Sequence, residues 1–275
     1  MVWSNAKEKV AINLNIPSTE HKTGLVIIAH ADDLALFAGT AVLALVDSGW
    51  DIHVIRVTDD QWDSWGLNSE TTKTANQAEF QAALAVMGIK HIYELNLPTD
   101  QLGDQSEVQL RNQIVELIRK VRPYLVMTFD PDSTKFEDNE DHRLVGRATN
   151  EACWTSGFDK HPEGKVDQLR THIPIERWYF GRNVIDVTHR QAIEPYRQRL
   201  IDVIAQHITM LQNMVAQLDV QARFLGYSLS RLQEEVVRNP KFFAELILSN
   251  REFQEFRIID ASHIQSVIER FGDKL

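Results

Sequence analysis

The stretch LVIIAHADDLALFAGTAVLALVDSG, residues 25–49, joins a short apolar run to a longer one with helical spacing. Its first five residues predict a buried strand, and its last sixteen predict a helix that ends at a glycine. Between the two runs stand His30, Asp32 and Asp33, polar side chains that are costly to place beside a core. A strand that passes directly into a helix indicates the start of an α/β fold.

The same alternation continues along the chain to about residue 150. Further strands are predicted at residues 52–58, 92–95 and 124–129. Helices are predicted at 71–88 and from a capping box at Ser106 to just before Pro123. The pattern predicts a doubly wound, Rossmann-like α/β fold whose sheet is mostly parallel, with right-handed crossovers.

The second half of the chain is less regular. Residues 175–181 and 183–188 predict two more strands, and the sequence beyond about residue 190 has mostly helical spacing. We therefore expect a Rossmann-like domain over residues 1–190 and a helical C-terminal extension over residues 191–275. The extension is expected to pack on the core or on another subunit, which would make the protein a homo-oligomer.

Composition excludes several classes of function. The chain has 275 residues and a formal net charge of −10, which argues against nucleic acid as a partner. No apolar run approaches the roughly 20 residues of an integral membrane segment, and the N-terminal stretch lacks the apolar run of a secretory signal. Cys153 is the single cysteine, so an intrachain disulfide and thiolate zinc cages are ruled out. We expect a cytoplasmic protein.

Two polar loops should meet at one edge of the predicted sheet. With the strand order 3-2-1-4-5, the winding reverses between the first and fourth strands, and ligands bind in the crevice beyond their carboxyl ends. The first loop carries the histidine and two aspartates quoted above. The second loop carries Asp130, Asp132, Asp138, Asn139, Asp141 and His142. Imidazole and carboxylate together suit zinc or another borderline divalent metal.

The ligand chemistry of catalytic zinc divides these residues into roles. Such a site has three protein ligands and one position open to water. We expect His30, Asp33 and His142 to bind the metal, zinc first and iron(II) as the alternative. Asp32 then remains as the carboxylate that can take a proton from the attacking water. This division predicts metal-assisted hydrolysis.

These residues also carry a family resemblance. The AHADD motif after the first strand, and the acidic loop that ends in Asp141 and His142, resemble the PIG-L/LmbE-like family of zinc-dependent de-N-acetylases. Softer similarities cover about residues 24–155. The resemblance implies the same three metal ligands, Asp32 as the general base, and Asp141 as a support for the site. It also implies that residues 1–190 form the metal-dependent deacetylase domain.

The sequence departs from the family pattern in ways that bear on proton transfer. Leu34 replaces an acidic residue, and Asn139 stands where the family usually has a histidine that polarises the acyl oxygen or protonates the leaving amine. Asn139 is expected to donate a hydrogen bond, but it cannot titrate. Asp32 could act as base and then as acid. Otherwise a histidine elsewhere could substitute; the candidates are His161, His172 and His189.

Other residues near this edge allow two interpretations each. Trp62 could stack on a sugar ring or anchor its loop, and Arg56 could contact substrate or form an ion pair at the rim. Asp130 is a third candidate for substrate binding. The remaining acidic residues of the second loop, Glu137 among them, are expected to be solvated.

The sequence thus predicts a metal-dependent N-deacetylase that removes an N-acetyl (N-acyl) group from an amino-sugar-like small metabolite or glycoconjugate. The alternative is a catalytically weak or inactive metal-binding homologue that acts as a small-molecule binding protein. A nucleotide-dependent Rossmann enzyme is disfavoured, because no G-x-G-x-x-G motif follows the first strand.

Overall fold

The computed structural model describes residues 10–135, 137–161 and 170–273. The stretch on which the absence of a secretory signal was predicted lies largely outside these residues. The strands, in chain order, are β1 Ala11–Ile12, β2 Thr23–Ile28, β3 Asp51–Thr58, β4 His91–Leu97, β5 Leu125–Phe129, β6 Glu176–Phe180, β7 His189–Ala192 and β8 Phe253–Ile259. The α-helices are α1 Gly39–Asp47, α2 Ser69–Met87, α3 Glu107–Val121, α4 Glu140–Thr155, α5 Arg197–Ile204, α6 Ile208–Phe224, α7 Ser230–Arg238, α8 Pro240–Leu248 and α9 Ser262–Phe271.

The described strands form one eight-stranded sheet in the order β1-β7-β8-β6-β5-β2-β3-β4. Strands β2 to β6 form a group of five in which every neighbouring pair is parallel. Their order, β4-β3-β2-β5-β6, is the predicted 3-2-1-4-5 order. Strand β8 is antiparallel to β6 and to β7. The fold is therefore the predicted mixed α/β fold with a mostly parallel central sheet.

Strand β2 is the middle one of the five parallel strands and lies between β5 and β3. Its residues Leu25, Val26 and Ile27 are fully buried, as expected of a parallel strand covered by helices on both faces. The register aligns Val26 with Val54 on one side and with Met127 on the other. This packing fixes the point at which β2 ends and the loop with His30 begins.

The segment after β2 is an interrupted helix rather than the single predicted one. Residues Leu34–Ala38 form a π-helical turn, and α1 begins at Gly39. Leu200 packs against Gly39 so closely that an added Cβ would lie 2.5 Å from Leu200 Cδ1. Gln254 completes the hydrogen bonds of the interruption, because its side chain accepts from Thr40 N at 2.8 Å and donates to carbonyls of the turn. A π-turn often marks a functional site.

The C-terminal region is mainly helical, as predicted, but it also completes the sheet. Residues 183–188 form turns rather than the predicted strand, and β7 follows them directly. Strand β8 was not predicted, and it lies between β6 and β7. The division into two domains at residue 190 stays a prediction. The structure adds that the C-terminal part contributes a strand to the same sheet.

Among the described residues, none of the helices is both long enough and apolar enough to cross a membrane.

Candidate metal centre

The three predicted metal ligands converge at the carboxyl edge of the sheet. His30 and Asp33 lie in the turn after β2, and His142 lies in the first turn of α4, which follows the loop after β5. All three side chains are buried. His30 Nδ1 lies 3.2 Å from His142 Nε2, and Asp33 offers Oδ1 to His142 Nε2 at 3.1 Å and Oδ2 to His30 Nδ1 at 3.6 Å.

These separations match what one tetrahedral ion requires. Ligand atoms about 2.0–2.1 Å from a zinc ion lie roughly 3.3 Å from one another at tetrahedral angles. Two imidazole nitrogens and one carboxylate oxygen also form a donor set that zinc prefers, with further positions open to water or substrate. The residues present therefore fit a borderline divalent metal.

Each histidine turns its other ring nitrogen toward a carboxylate. His30 Nε2 lies 3.4 Å from Asp141 Oδ2, and His142 Nδ1 lies 3.3 Å from Glu137 Oε2. Phe129 stacks on the His142 ring with the centroids 4.0 Å apart. Metal-binding histidines characteristically have such carboxylate partners, which fix the tautomer and the ring orientation.

Asp141 and Glu137 both lie beside the histidines, although only Asp141 was expected to do so. Asp141 lies where a supporting carboxylate was predicted, and its oxygens also accept from Asp100 N at 2.7 Å and from Leu102 N at 3.3 Å. Glu137 was expected to be solvated, which is wrong. It is only 5% exposed, because it faces His142 and accepts a hydrogen bond from Asn139 N. Its neighbours in the acidic loop gave no sign that this one carboxylate turns inward.

The electrostatics of the cluster favour positive charge at its centre. Burial lowers the pKa of His30, but hydrogen bonds to Asp141 and Asp33 outweigh it and raise the pKa well above its ordinary value. Burial likewise opposes the shift at His142, whose pKa is raised to about 9 chiefly by Asp33. The pKa of Asp33 is lowered, against burial, by the charge and hydrogen bond of His142. A divalent cation would meet this demand for positive charge by displacing protons from the two imidazoles.

Asp32 has a different environment from its neighbour. It is half-buried, and among the described residues no donor is hydrogen-bonded to its carboxylate. Burial, followed by repulsion from the Asp33 carboxylate, raises the pKa of Asp32 to about 8. A carboxyl group of this kind can exchange a proton near neutral pH.

Asn139 is the N-cap of α4. Its Oδ1 accepts hydrogen bonds from Asp141 N at 2.9 Å and from His142 N at 3.3 Å. The residue therefore holds the first helical turn, which carries one metal ligand and one supporting carboxylate. Because the oxygen is used by the cap, only the amide NH2 group is left to act as a donor toward a ligand.

The loop after β3 adds a buried carboxylate that the sequence analysis did not single out. Asp60 is 1% exposed, and its Oδ2 accepts from Ala31 N at 3.1 Å and from Arg56 Nη1 at 2.9 Å. Arg56 is itself 2% exposed and also pairs with Glu94 at 3.0 Å. The ion pair of Arg56 is therefore buried and not at the rim, and its contact with substrate stays a prediction. The position of Asp60 at the end of a third parallel strand was the available signal.

Asp130, the third candidate for substrate binding, has several contacts within the protein, and its contact with substrate stays a prediction. It is buried at the end of β5, where Oδ2 accepts from Ile185 N at 2.8 Å and Oδ1 accepts from Asp132 N at 3.1 Å. Arg257 of β8 pairs with the same carboxylate. Asp130 therefore ties together the loops after β5 and β6.

The two tryptophans of the loop after β3 remain accessible. Trp62 is 48% exposed and Trp65 is 58% exposed, on the loop that also carries Asp63. Asp63 offers an oxygen within 4.8 Å of the nearest ligand atom of His30, so this loop adjoins the metal ligands. His172 was one of the histidines that could replace Asn139 as a proton donor. Its Nε2 is hydrogen-bonded to Pro123 O, just before β5, so it lies at the edge of the sheet opposite the candidate metal centre.

Fold and site together define an α/β protein with a candidate metal-binding group at the carboxyl edge of its parallel strands. The model of the GlcNAc-PI de-N-acetylase (PIG-L) family matches residues 25–153. A diacetylchitobiose deacetylase from Thermococcus kodakarensis is 30% identical over 186 residues, which cover 62% of this chain and 68% of that protein. The chain belongs to the PIG-L family of de-N-acetylases, as its motifs predicted.

Solved structures share the fold. The N,N'-diacetylchitobiose deacetylase from Pyrococcus horikoshii, solved with an inhibitor, aligns with a TM-score of 0.68 at 18% identity, over 92% of this chain and 87% of that chain. A conserved protein from Thermus thermophilus aligns with a TM-score of 0.60 at 16% identity, over 85% and 92% of the two chains. The architecture therefore extends beyond the region that the family model matches.

Proposed function

We propose that this protein is a metal-dependent hydrolase that removes an N-acetyl group from an amino-sugar-like substrate. The observation that carries the proposal is the convergence of His30 Nδ1, Asp33 and His142 Nε2 within 3.1–3.6 Å, with Asp32 beside them. We assign the three converging residues to the metal and Asp32 to the general base. Zinc suits the donor set, and iron(II) is the alternative ion.

The chain's own residues supply the proton transfers. A bound divalent ion provides a Lewis acid that polarises the amide carbonyl and makes water more acidic. Asp32 accepts the proton of the attacking water as the new C–O bond forms. It then returns that proton to the amine nitrogen as the C–N bond breaks, so that acetate and a free amine leave. Among the described residues no donor is hydrogen-bonded to the Asp32 carboxylate, which leaves it able to take and return that proton.

Asn139 contributes by position. Its Oδ1 is committed to the helix cap, which leaves its NH2 group as a donor. We assign that group to the acyl oxygen, where one hydrogen bond would stabilise the charge that develops there. Asp32 serves as base and then acid because Asn139 cannot deliver a proton.

The substrate class rests on the relatives and on the loop after β3. A 30% identical relative is named a diacetylchitobiose deacetylase, a name that describes the removal of acetyl groups from an amino-sugar disaccharide. Trp62 and Trp65 expose indole surface on the loop that adjoins the metal ligands, and an aromatic face can pack against a sugar ring. We therefore propose N-acetylated amino sugars, free or within a glycoconjugate, as substrates.

A deacylation screen tests the proposal. Protein loaded with zinc is incubated with N-acetylglucosamine, N,N'-diacetylchitobiose and longer N-acetylated oligosaccharides, and both acetate and free amine are measured. We expect equimolar release of the two products from at least one substrate, and release slowed about 10²–10⁴-fold by Asp32→Asn. Zinc-loaded protein that binds these sugars but never releases acetate would instead support the binding-protein alternative.

A further inference from the structure

A second cluster of ligand-type side chains lies at the opposite edge of the sheet. We call Asp51, His53 and His91 the amino-end cluster. One ligand atom of each lies within 4.8 Å of the others. Strand β3 runs from Asp51 to Thr58 at about 3.3 Å per residue, so the cluster is roughly 23 Å from the edge that carries the candidate metal centre. The deacetylation mechanism does not use these residues.

Strand geometry places the three side chains on one face of the sheet. Asp51 and His53 are two residues apart in β3, so their side chains point the same way. His91 of β4 is the register partner of His53 in the parallel ladder. The backbone thus fixes all three positions, and the cluster joins β3 to β4, the edge strand of the sheet.

The contacts match those of a histidine and carboxylate metal site. His53 Nε2 lies 3.3 Å from Asp51 Oδ2, and His91 Nε2 lies 3.5 Å from Asp51 Oδ1. Both imidazoles therefore turn the same nitrogen toward one carboxylate. His53 Nδ1 lies 3.3 Å from Tyr93 Oη, which leaves Nε2 as the nitrogen available to a metal. An outer partner of this kind is typical of metal-binding histidines.

The cluster is open to solvent on one side. The side chain of His53 is 12% exposed, whereas those of His91 and Asp51 are 48% and 58% exposed. The His53 and His91 rings are stacked with centroids 4.3 Å apart, and Nε2 of each ring faces the Asp51 carboxylate. An ion can enter from solvent and keep water in its remaining coordination positions.

We propose that the amino-end cluster is a second metal site, which takes one borderline divalent transition-metal ion such as zinc. Two imidazole nitrogens and one carboxylate oxygen select that class over magnesium or calcium, which prefer all-oxygen sites. The ion cross-links β3 to the edge strand β4. It acts on stability and takes no part in deacetylation.

Zinc stoichiometry tests this proposal on tag-free, full-length protein. The protein is stripped with chelator, dialysed, and equilibrated with zinc chloride alone, and bound zinc is measured per chain. His30 belongs to each of the other ligand groups in the described residues, so His30→Ala removes the candidate metal centre. We expect two zinc ions in the wild type and one in His30→Ala. His91→Ala should also bind one and keep the wild-type deacetylation rate.

Further variants make the result specific to the amino-end cluster. The double variant His30→Ala, His91→Ala should bind none. Tyr93→Phe should weaken the second site about 10-fold, the cost of losing an outer hydrogen bond to a ligand. His21→Ala, at an exposed histidine outside the cluster, is the matched control and should bind two. Zinc should raise the unfolding temperature of His30→Ala but not that of the double variant.

Two results would overturn the proposal. One is a single zinc per wild-type chain that is lost in His30→Ala. The other is a second zinc that persists when His91 is replaced. Both are independent of deacetylation, since a protein that binds two zinc ions and releases no acetate would contradict the proposed function alone.

Discussion

Exchanging each of the adjacent aspartates for asparagine separates the two roles assigned to them. Asp33 is buried, contacts both histidines, and accepts backbone hydrogen bonds from Ala29 N at 3.1 Å and His30 N at 2.7 Å. Asp32 is half-buried and has no such partners among the described residues. Asp33→Asn should therefore disturb the metal, whereas Asp32→Asn should disturb only the chemistry.

The expected magnitudes follow from those environments. Asp32→Asn keeps the shape of the side chain but removes the base, so turnover should fall about 10²–10⁴-fold with metal retained. Asp33→Asn replaces a charged ligand by a neutral amide, and zinc affinity should fall by more than about 100-fold, since even an outer partner of a ligand costs 10–100-fold. Because Asp32 titrates well above its unfolded value when metal is absent, metal-free Asp32→Asn should unfold at a higher temperature than metal-free wild type at pH 7.

The assay combines zinc titration with acetate release at saturating zinc for both variants and the wild type. Thermal unfolding of the metal-free proteins shows that each variant is folded. The assignment is refuted if Asp32→Asn sheds metal while Asp33→Asn keeps it and loses only rate. The two carboxylates would then have the opposite roles.

Three further variants test other residues. Asn139→Ala should slow deacetylation by roughly 10²–10³, the cost of one lost donor to the acyl oxygen, and an unchanged rate measured at saturating zinc would remove Asn139 from the mechanism. Arg56→Met leaves Asp60 buried without its partner, so the free energy of unfolding should fall by about 3–5 kcal/mol in urea, whereas a role in substrate contact would raise KM with stability unchanged. Burial lowers the pKa of His207 to about 4, so the unfolded chain binds more protons between pH 4 and 6.5, and acidification over that range should cost the wild type on the order of 3 kcal/mol more than His207→Gln. Urea unfolding of both proteins at pH 7 and pH 4.5 measures that difference, and equal losses would contradict it.

The fold was predictable where strands are buried on both faces. Continuous apolar runs such as Leu25–Ala29 are unmistakable, and parallel order follows from the alternation of strands and helices. Strand β8 could not be predicted, because only two of its residues, Gln254 and Phe256, are buried. Such a short alternation does not stand out in a region whose spacing is mostly helical. Its place in the sheet depends on antiparallel pairing with β6 and β7, which local periodicity does not encode.

The candidate site was predictable in its position and its donor atoms, but less so in the use of each carboxylate. His30, Asp33 and His142 meet because strand ends meet, which strand order alone implies. Whether an acidic side chain is solvated or buried depends on which backbone N–H groups and bases surround it. Glu137 faces His142, and Asp130 accepts a hydrogen bond from Ile185 N in another loop. Both contacts depend on tertiary packing, which no local sequence pattern indicates.

Three carboxylates around the candidate metal centre share one property that Asp32 lacks. Asp33, Asp60 and Asp141 each accept hydrogen bonds from backbone N–H groups, in the loops after β2 and β4. Those bonds fix the three carboxylates in place, which suits a metal ligand or its support. Asp32 lacks them among the described residues, and burial raises its pKa instead. The carboxylate to which we assign the proton transfer is thus less restrained than these three.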